Sequence, residues 1–271
     1  MSDPVGGPAR LVRSSEVPGA TPGAGWPGWF RDVHAGFRHQ LLTPAGYPCH
    51  FGANGELADH NWFTACDAGE PAADLLAASL RAFAVVASTG AKRQSLIAFI
   101  GPPGGAPDGA PGGLAGAGHS LSDDAARFWD LLGQVGERDQ SPWPDGRPQD
   151  PGAPDWQWCF GGVPWFVIGF SPGYRSRRSR NLGPCLTMAF QLSERVFDGL
   201  SGSTPAGQAA KRQVRDRLAS YDAIGPHPHL GDPLHSSTHK WRQYFLPDDN
   251  EIADPLACPL AGRAAQGSAS Q

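Results

Sequence analysis

Residues 157–170 read Gln-Trp-Cys-Phe-Gly-Gly-Val-Pro-Trp-Phe-Val-Ile-Gly-Phe. Aromatic and β-branched side chains crowd both sides of a Gly-Gly pair, the composition of strands in the core of a sheet. Residues 185–191, CLTMAFQ, follow Gly183-Pro184 with the same character. Working outward, 96–100 (LIAFI) is a short apolar run stopped by Gly-Pro-Pro and reads as another strand. Helical spacing takes over at 74–88, DLLAASLRAFAVVAS, which opens on an acidic residue. Residues 122–137 start with Ser-Asp-Asp, suited to an N-cap, and place Phe128, Leu131, Leu132 and Val135 on one face. Residues 208–220 interleave charges with Val214 and Leu218, the pattern of a surface helix. The sum is an α+β (mixed α/β) chain, a single domain with a central sheet flanked by helices and long Gly/Pro-rich loops.

The loops follow from where the 36 glycines and 27 prolines concentrate: 1–28, 101–118, 142–154 and 199–207. The expected organisation is a flexible segment 1–28, one folded domain 29–255 and a flexible tail 256–271. A chain of 271 residues with 40% hydrophobic content can bury an enzyme-sized core. A net charge of -4 offers no field for nucleic acid, so no polynucleotide partner is expected. The start has no signal-peptide pattern. The longest apolar runs, 75–88 and 165–170, fall short of the roughly 20 residues that cross a bilayer. A cytoplasmic protein without a membrane partner is therefore expected. Five cysteines at irregular spacing argue against a disulfide framework, so each is a core residue or a ligand.

Nucleophile elbows, phosphate-cradling glycine loops with their lysine, His-Glu-x-x-His and paired Cys-x-x-Cys are absent. What remains is a set of less specific features. Trp156, Trp158, Phe160, Trp165 and Phe166 suit the wall of a planar macrocycle, or simply a core that buries several rings. Residues 171–180, SPGYRSRRSR, put four arginines after that run. Forked guanidinium groups there suit carboxylates, and the same loop could be a solvated basic one. His227, His229, His235 and His239 fall in a Pro-rich stretch matching no zinc spacing. Cys49 follows Tyr47-Pro48 and is either a packed thiol or a soft ligand for heme iron.

Several segments in order resemble the YqcI/YcgG family from about residue 29 to 251. They are Tyr47-Pro48-Cys49; Phe128-Trp129-x-Leu131-Leu132 leading to Asp139 and Trp143-Pro144; and Trp156-x-Trp158-Cys159-Phe160-x-Gly162-x-Pro164-x-Phe166. Then come Ser171-Pro172-x-Tyr174, Arg178-Ser179-Arg180, Tyr221-Asp222, His227-Pro228 and the run from Trp241 to Asn250. The chain departs from the family at 191–194, where relatives carry Gln-Pro-Arg, at Pro233-Leu234, and in a long insert at 101–118. The resemblance implies a heme b (iron) enzyme, a monooxygenase or peroxygenase of antibiotic biosynthesis. It would convert L-arginine, or a related guanidine or amine, to the N-hydroxy product with dioxygen or peroxide and a reductase partner. On that reading Cys49 and His227 are the rival iron ligands, followed by His229, His50 and Cys159. Trp158, Phe160, Trp165, Phe166 and Arg175 would hold the cofactor. Arg178 and Arg180 would hold the substrate carboxylate, and Asp248 the guanidinium, with Asp249, Glu251 and Asp67 as further carboxylates. The alternatives are a non-catalytic heme carrier or sensor, and a metal hydrolase using His227, His229 and His235.

Overall fold

In a computed structural model, residues 9–19, 25–43, 46–67, 70–101, 120–200, 204–230, 239–252 and 258–261 are described. Six strands among them form one sheet: β1 Val12–Arg13, β2 Asn61–Cys66, β3 Ser95–Ile100, β4 Cys159–Phe160, β5 Val163–Phe170 and β6 Leu186–Leu192. They lie in the order β1-β2-β3-β6-β5-β4, with β2 and β3 parallel and every other pair antiparallel. The stretch 157–170 is a hairpin rather than one run. Gly161 (φ 65°) and Gly162 (φ 72°) turn β4 back on β5. Two successive left-handed residues match the twist of the flanking strands, and glycine adopts them without a Cβ clash.

The parallel pair needs a crossover, which is α3 (Ala72–Thr89). By length and composition this helix could cross a membrane. Here Leu76, Leu80 and Phe83 pack on the sheet instead, together with Phe128, Leu131, Leu132 and Val135 of α4 (Leu121–Gly136). These meet Leu96, Ala98, Ile100, Trp165, Val167, Met188 and Phe190. The cap of α4 is Ser120, two residues before the expected Ser122. Its Oγ accepts the Asp123 amide at 3.0 Å and also bonds the Ser122 hydroxyl at 2.8 Å.

Strand alternation sends the intervening side chains to the other face. There Phe63, Phe99 and Ile97 meet Phe30, Val33, Phe37 and Leu41 of α1 (Phe30–Leu41). Phe37 stands edge-on to Phe63 (5.8 Å) and Phe99 (5.7 Å). Burying each such ring contributes about 1.5–3 kcal/mol, so β2 and β3 are clamped from both sides. Sequence patterning had revealed neither β2, α1 nor the short α2 (His50–Leu57). After β6 comes a single turn, α5 (Ser193–Val196), and the expected surface helix is α6 (Pro205–Tyr221), with Pro at its start and Thr204 capping the Gly207 amide at 3.1 Å. The insert expected at 101–118 lies outside the described residues apart from Gly101.

Candidate functional site

Strand register sets out a floor for a cavity on the α1 face of the sheet. One row across the strands is Asn61, Ser95, Gln191 and Phe166, the next Phe63, Ile97, Ala189 and Ile168, and the third Ala65, Phe99, Thr187 and Phe170. Alanine at 189, between Ile97 and Ile168, leaves the floor concave. A cavity of about 490 Å³ lies above it, well inside the range of roughly 300–1,000 Å³ usual for small-molecule sites. Its roof is one stripe of α6, Gly207, Ala210, Lys211, Val214 and Leu218, and one wall comes from Cys49, Phe51 and Gly52 at the start of α2. The floor runs about 13 Å from the Gln191 row to the Phe170 row, four residues at ~3.3 Å each.

The Phe170 end is charged. Arg180 is buried, lies 5.8 Å over the Phe170 ring and donates to the carbonyls of Gly169, Tyr244 and Gln243. Arg177, 1% exposed, donates to the carbonyls of Pro247 (2.7 Å), Gly225 and Asp249 and to the Asn250 side-chain oxygen. Desolvation by burial lowers the pKa of both guanidinium groups. Asp222, the one carboxylate among the described lining residues, accepts the Ser179 amide and hydroxyl, both at 2.7 Å. Tyr47 donates to the Ser179 carbonyl at 2.5 Å, and burial pushes its hydroxyl well up. At the Asn61 end the floor itself carries amides and a hydroxyl: Gln191 donates to Ser95 Oγ at 2.8 Å and Asn61 to Glu56 at 2.9 Å.

Of the five cysteines only Cys49 lines the cavity. It occupies the N-cap of α2. Burial raises its thiol pKa, opposed by the Gly52 and Phe51 amides and by the Arg180 and Arg217 guanidinium groups. Cys66, Cys159 and Cys185 are pushed up to about 12, and Cys258 to about 11, by burial in the core.

The structure separates the residues singled out in the sequence. Cys49, Phe166 and Arg180 reach the cavity. Trp165 is one residue from Phe166 on β5 and therefore faces the α3 side, while Trp158 and Phe160, stacked at 5.8 Å, belong to the same core. Those three rings are no wall of this cavity. Arg175 is exposed, and Arg178 is exposed too, lying over the Tyr221 ring and bonded to the Tyr221 carbonyl. Asp248 is a loop tie: burial would raise its carboxyl, but the amides of Ser176, Arg177 and Arg175 together hold it below its usual value. His227 is fully buried outside the lining. Its Nδ1 accepts the His229 amide at 3.1 Å, which puts the proton on Nε2, facing the Glu251 carbonyl at 3.3 Å. Neither ring nitrogen is left for a metal. His50 lies beside Cys49 but does not line the cavity. His235 lies outside the described residues, among which no group of three metal-binding side chains occurs. Sequence reasoning gave no site role to Asp222, Gln191, Lys211 or Lys240 and did not single out Arg177 among the four loop arginines, yet all five line the cavity. The i, i+3, i+7 spacing of Gly207, Ala210 and Val214 was the readable sign that α6 has an inward face.

Four cationic side chains, Arg177, Arg180, Lys211 and Lys240, oppose Asp222 in an otherwise largely apolar lining that holds a soft donor, Cys49. Heme b, a flat apolar macrocycle with two propionates and an iron that accepts thiolate, fits this donor set.

A family model described as the YqcI/YcgG family matches residues 37–261. Two proteins of Bacillus subtilis (strain 168) are similar. "Uncharacterized protein YqcI" is 36% identical over 143 residues, 52% of this chain and 54% of that protein. "Uncharacterized protein YcgG" is 38% identical over 134 residues, 49% and 51% respectively. "Putative N(omega)-hydroxy-L-arginine synthase DcsA" of Streptomyces lavendulae is 36% identical over 138 residues, 51% of each chain. The chain thus matches about half the length of these curated relatives. No solved structure matches it.

Proposed function

The chain belongs to the YqcI/YcgG family, and on that premise we propose that it is a heme-dependent N-hydroxylase of L-arginine or a related guanidine, with Cys49 as the protein ligand to iron. The observation that carries the reading is the cavity: about 490 Å³, mostly apolar, rich in cations and presenting one cysteine out of five. The name of the Streptomyces relative supports arginine as substrate. A role in antibiotic biosynthesis belongs to the same proposal.

Bound heme would supply the activation of dioxygen or peroxide that a protonated, weakly nucleophilic guanidine requires. With dioxygen, one oxygen atom enters the N–H bond and the other leaves as water, using two electrons and two protons from a reductase partner. With hydrogen peroxide, water leaves and no further electrons are needed. The chain's own residues do the rest. Cys49 is held at the N-cap of α2; burial raises its thiol pKa, and the Gly52 and Phe51 amides oppose that rise. Ile97, Ile168, Phe166 and Val214 keep the interior apolar. Asp222 is the carboxylate available to a guanidinium, and the open oxygens of the Asn61 and Gln191 amides are its neutral acceptors.

The test is hemin uptake followed by turnover. Wild-type protein is expected to purify coloured or to bind added hemin, with a thiolate-type red shift in the ferrous-CO spectrum, and to convert arginine to a product heavier by one oxygen atom. Cys49→Ala should abolish that red shift, and His227→Gln should retain it. A colourless protein that takes up no hemin overturns the proposal, and so does a heme protein that leaves arginine unchanged with both peroxide and reductant.

A further inference from the structure

The cations of the cavity fall into two kinds. Arg177 already donates to four protein oxygens, and Arg180 to three backbone carbonyls, so both serve mainly to tie their own loop down. Lys211 and Lys240 differ: among the described residues no hydrogen bond or ion pair engages either ammonium. Lys240 sits in a one-turn helix (Lys240–Gln243), with its nitrogen 4.5 Å over the Phe197 ring, and Phe197 in turn stands 5.2 Å from Phe166 on the floor. Lys211 projects from the roof helix into the same lining. Burial, and then the charge of Lys211, weaken the hold of Lys240 on its proton; Asp155 draws on it only through space. Lys211 is exposed, but Lys240 is half-buried with a like charge beside it, an arrangement that an anion joining the two ammonium groups would relieve. The neighbouring Gln191 amide adds polar lining, and the aromatic pair adds an apolar shelf.

We infer that Lys211 and Lys240 form the carboxylate anchor of the cavity, holding a propionate of the macrocycle or the carboxylate of the amino-acid substrate. This rests on the reading of the cavity as a heme site only for the first of those sources. The arginine loop, which its sequence makes the obvious anion binder, is then a structural element, and the recognition of negative charge passes to the other end of the floor.

Four probes separate the sources: hemin against its dimethyl ester, followed by Soret titration, and arginine against agmatine, which lacks the carboxylate, followed by calorimetry. Wild-type protein is expected to prefer the acid of one pair by about tenfold or more. Lys211→Met/Lys240→Met should lose that preference while binding the ester or agmatine as before. The Lys→Arg pair should keep it. Loss of the hemin preference assigns the anchor to a propionate, and loss of the arginine preference assigns it to substrate. If both preferences survive in the Met pair, the inference is overturned. Wild-type protein that takes up neither porphyrin refutes the heme reading alone, and the arginine and agmatine titrations on that cofactor-free protein then judge the lysines. Should the double variant fail to fold, the exposed Lys211→Met alone is expected to cut the preference about threefold, and an unchanged preference again overturns the inference.

Discussion

Arg177→Met is the perturbation whose cost the structure defines most sharply. The guanidinium is 1% exposed and donates to Pro247, Gly225 and Asp249 carbonyls and to Asn250 Oδ1, joining the loop after β5 to the chain segment around residues 247–250. A hydrogen bond to a charged group contributes about 1.5–3 kcal/mol, and a buried acceptor left bare costs about 1–3. Four such bonds would sum to about 6–12 kcal/mol, comparable with the whole stability of a domain. Two effects reduce the sum: methionine escapes the desolvation of a buried cation, and the exposed neighbours at 249 and 250 can take water instead. The net loss should resemble that of breaking a buried charged network, about 3–5 kcal/mol. For a chain of this size that is on the order of a 10 °C fall in melting temperature. Arg178→Met is the control. Arg178 is exposed, and its contacts with the Tyr221 ring and carbonyl should be worth at most about 1 kcal/mol. Denaturant unfolding of both variants, with limited proteolysis at 247–252, measures the difference. Equal stabilities for the two variants would refute the reasoning.

Ala189→Leu should fill the concave floor between Ile97 and Ile168, lowering hemin uptake about tenfold or more while leaving the melting temperature unchanged or higher, because apolar volume is added to a void. An unaltered hemin titration would mean that the ligand lies elsewhere. His227 and His229 have pKa values lowered to about 4, chiefly by burial. The unfolded chain takes up protons near 6.5 that the folded chain refuses, so stability is full above that pH and falls as the pH drops toward 4. The expected loss is on the order of a few kcal/mol for the pair. Urea midpoints that stay level from pH 7 to 4.5, or a slope that survives in His227→Gln/His229→Gln, would count against it.

Much of this molecule was legible along the chain. The Gly161-Gly162 punctuation, the helical spacing of α3 and α4 and the apolar run of β3 are local patterns with a period of their own, and they carried the α+β class. The ordered motifs carried the family. Cys49, too, could be picked out as a candidate ligand beside Tyr47-Pro48. β2, Asn61–Cys66, could not be read, because its NWFTAC alternates no polar face: the strand is buried on both sides once β3 and the helices cover it. His227 has the side chain of a metal ligand, but the fold engages both of its nitrogens, with the His229 amide and the Glu251 carbonyl.

What the sequence determined by itself is periodicity: which segments become strands or helices, and which side chains alternate within them. It could not determine which face of the sheet would be left hollow. Trp165 and Phe166 are adjacent and chemically alike, yet one closes the core and the other faces the cavity. Arg177 and Arg178 are adjacent and identical in kind, yet one is locked between carbonyls and the other meets solvent. The difference lies in the partner each meets across the fold, from segments as far as 73 residues away for Arg177. Local preference has no range to reach such partners, so only the packed sheet, with α1 on one half of its face and α6 arched over the other, decides which side chain becomes a site.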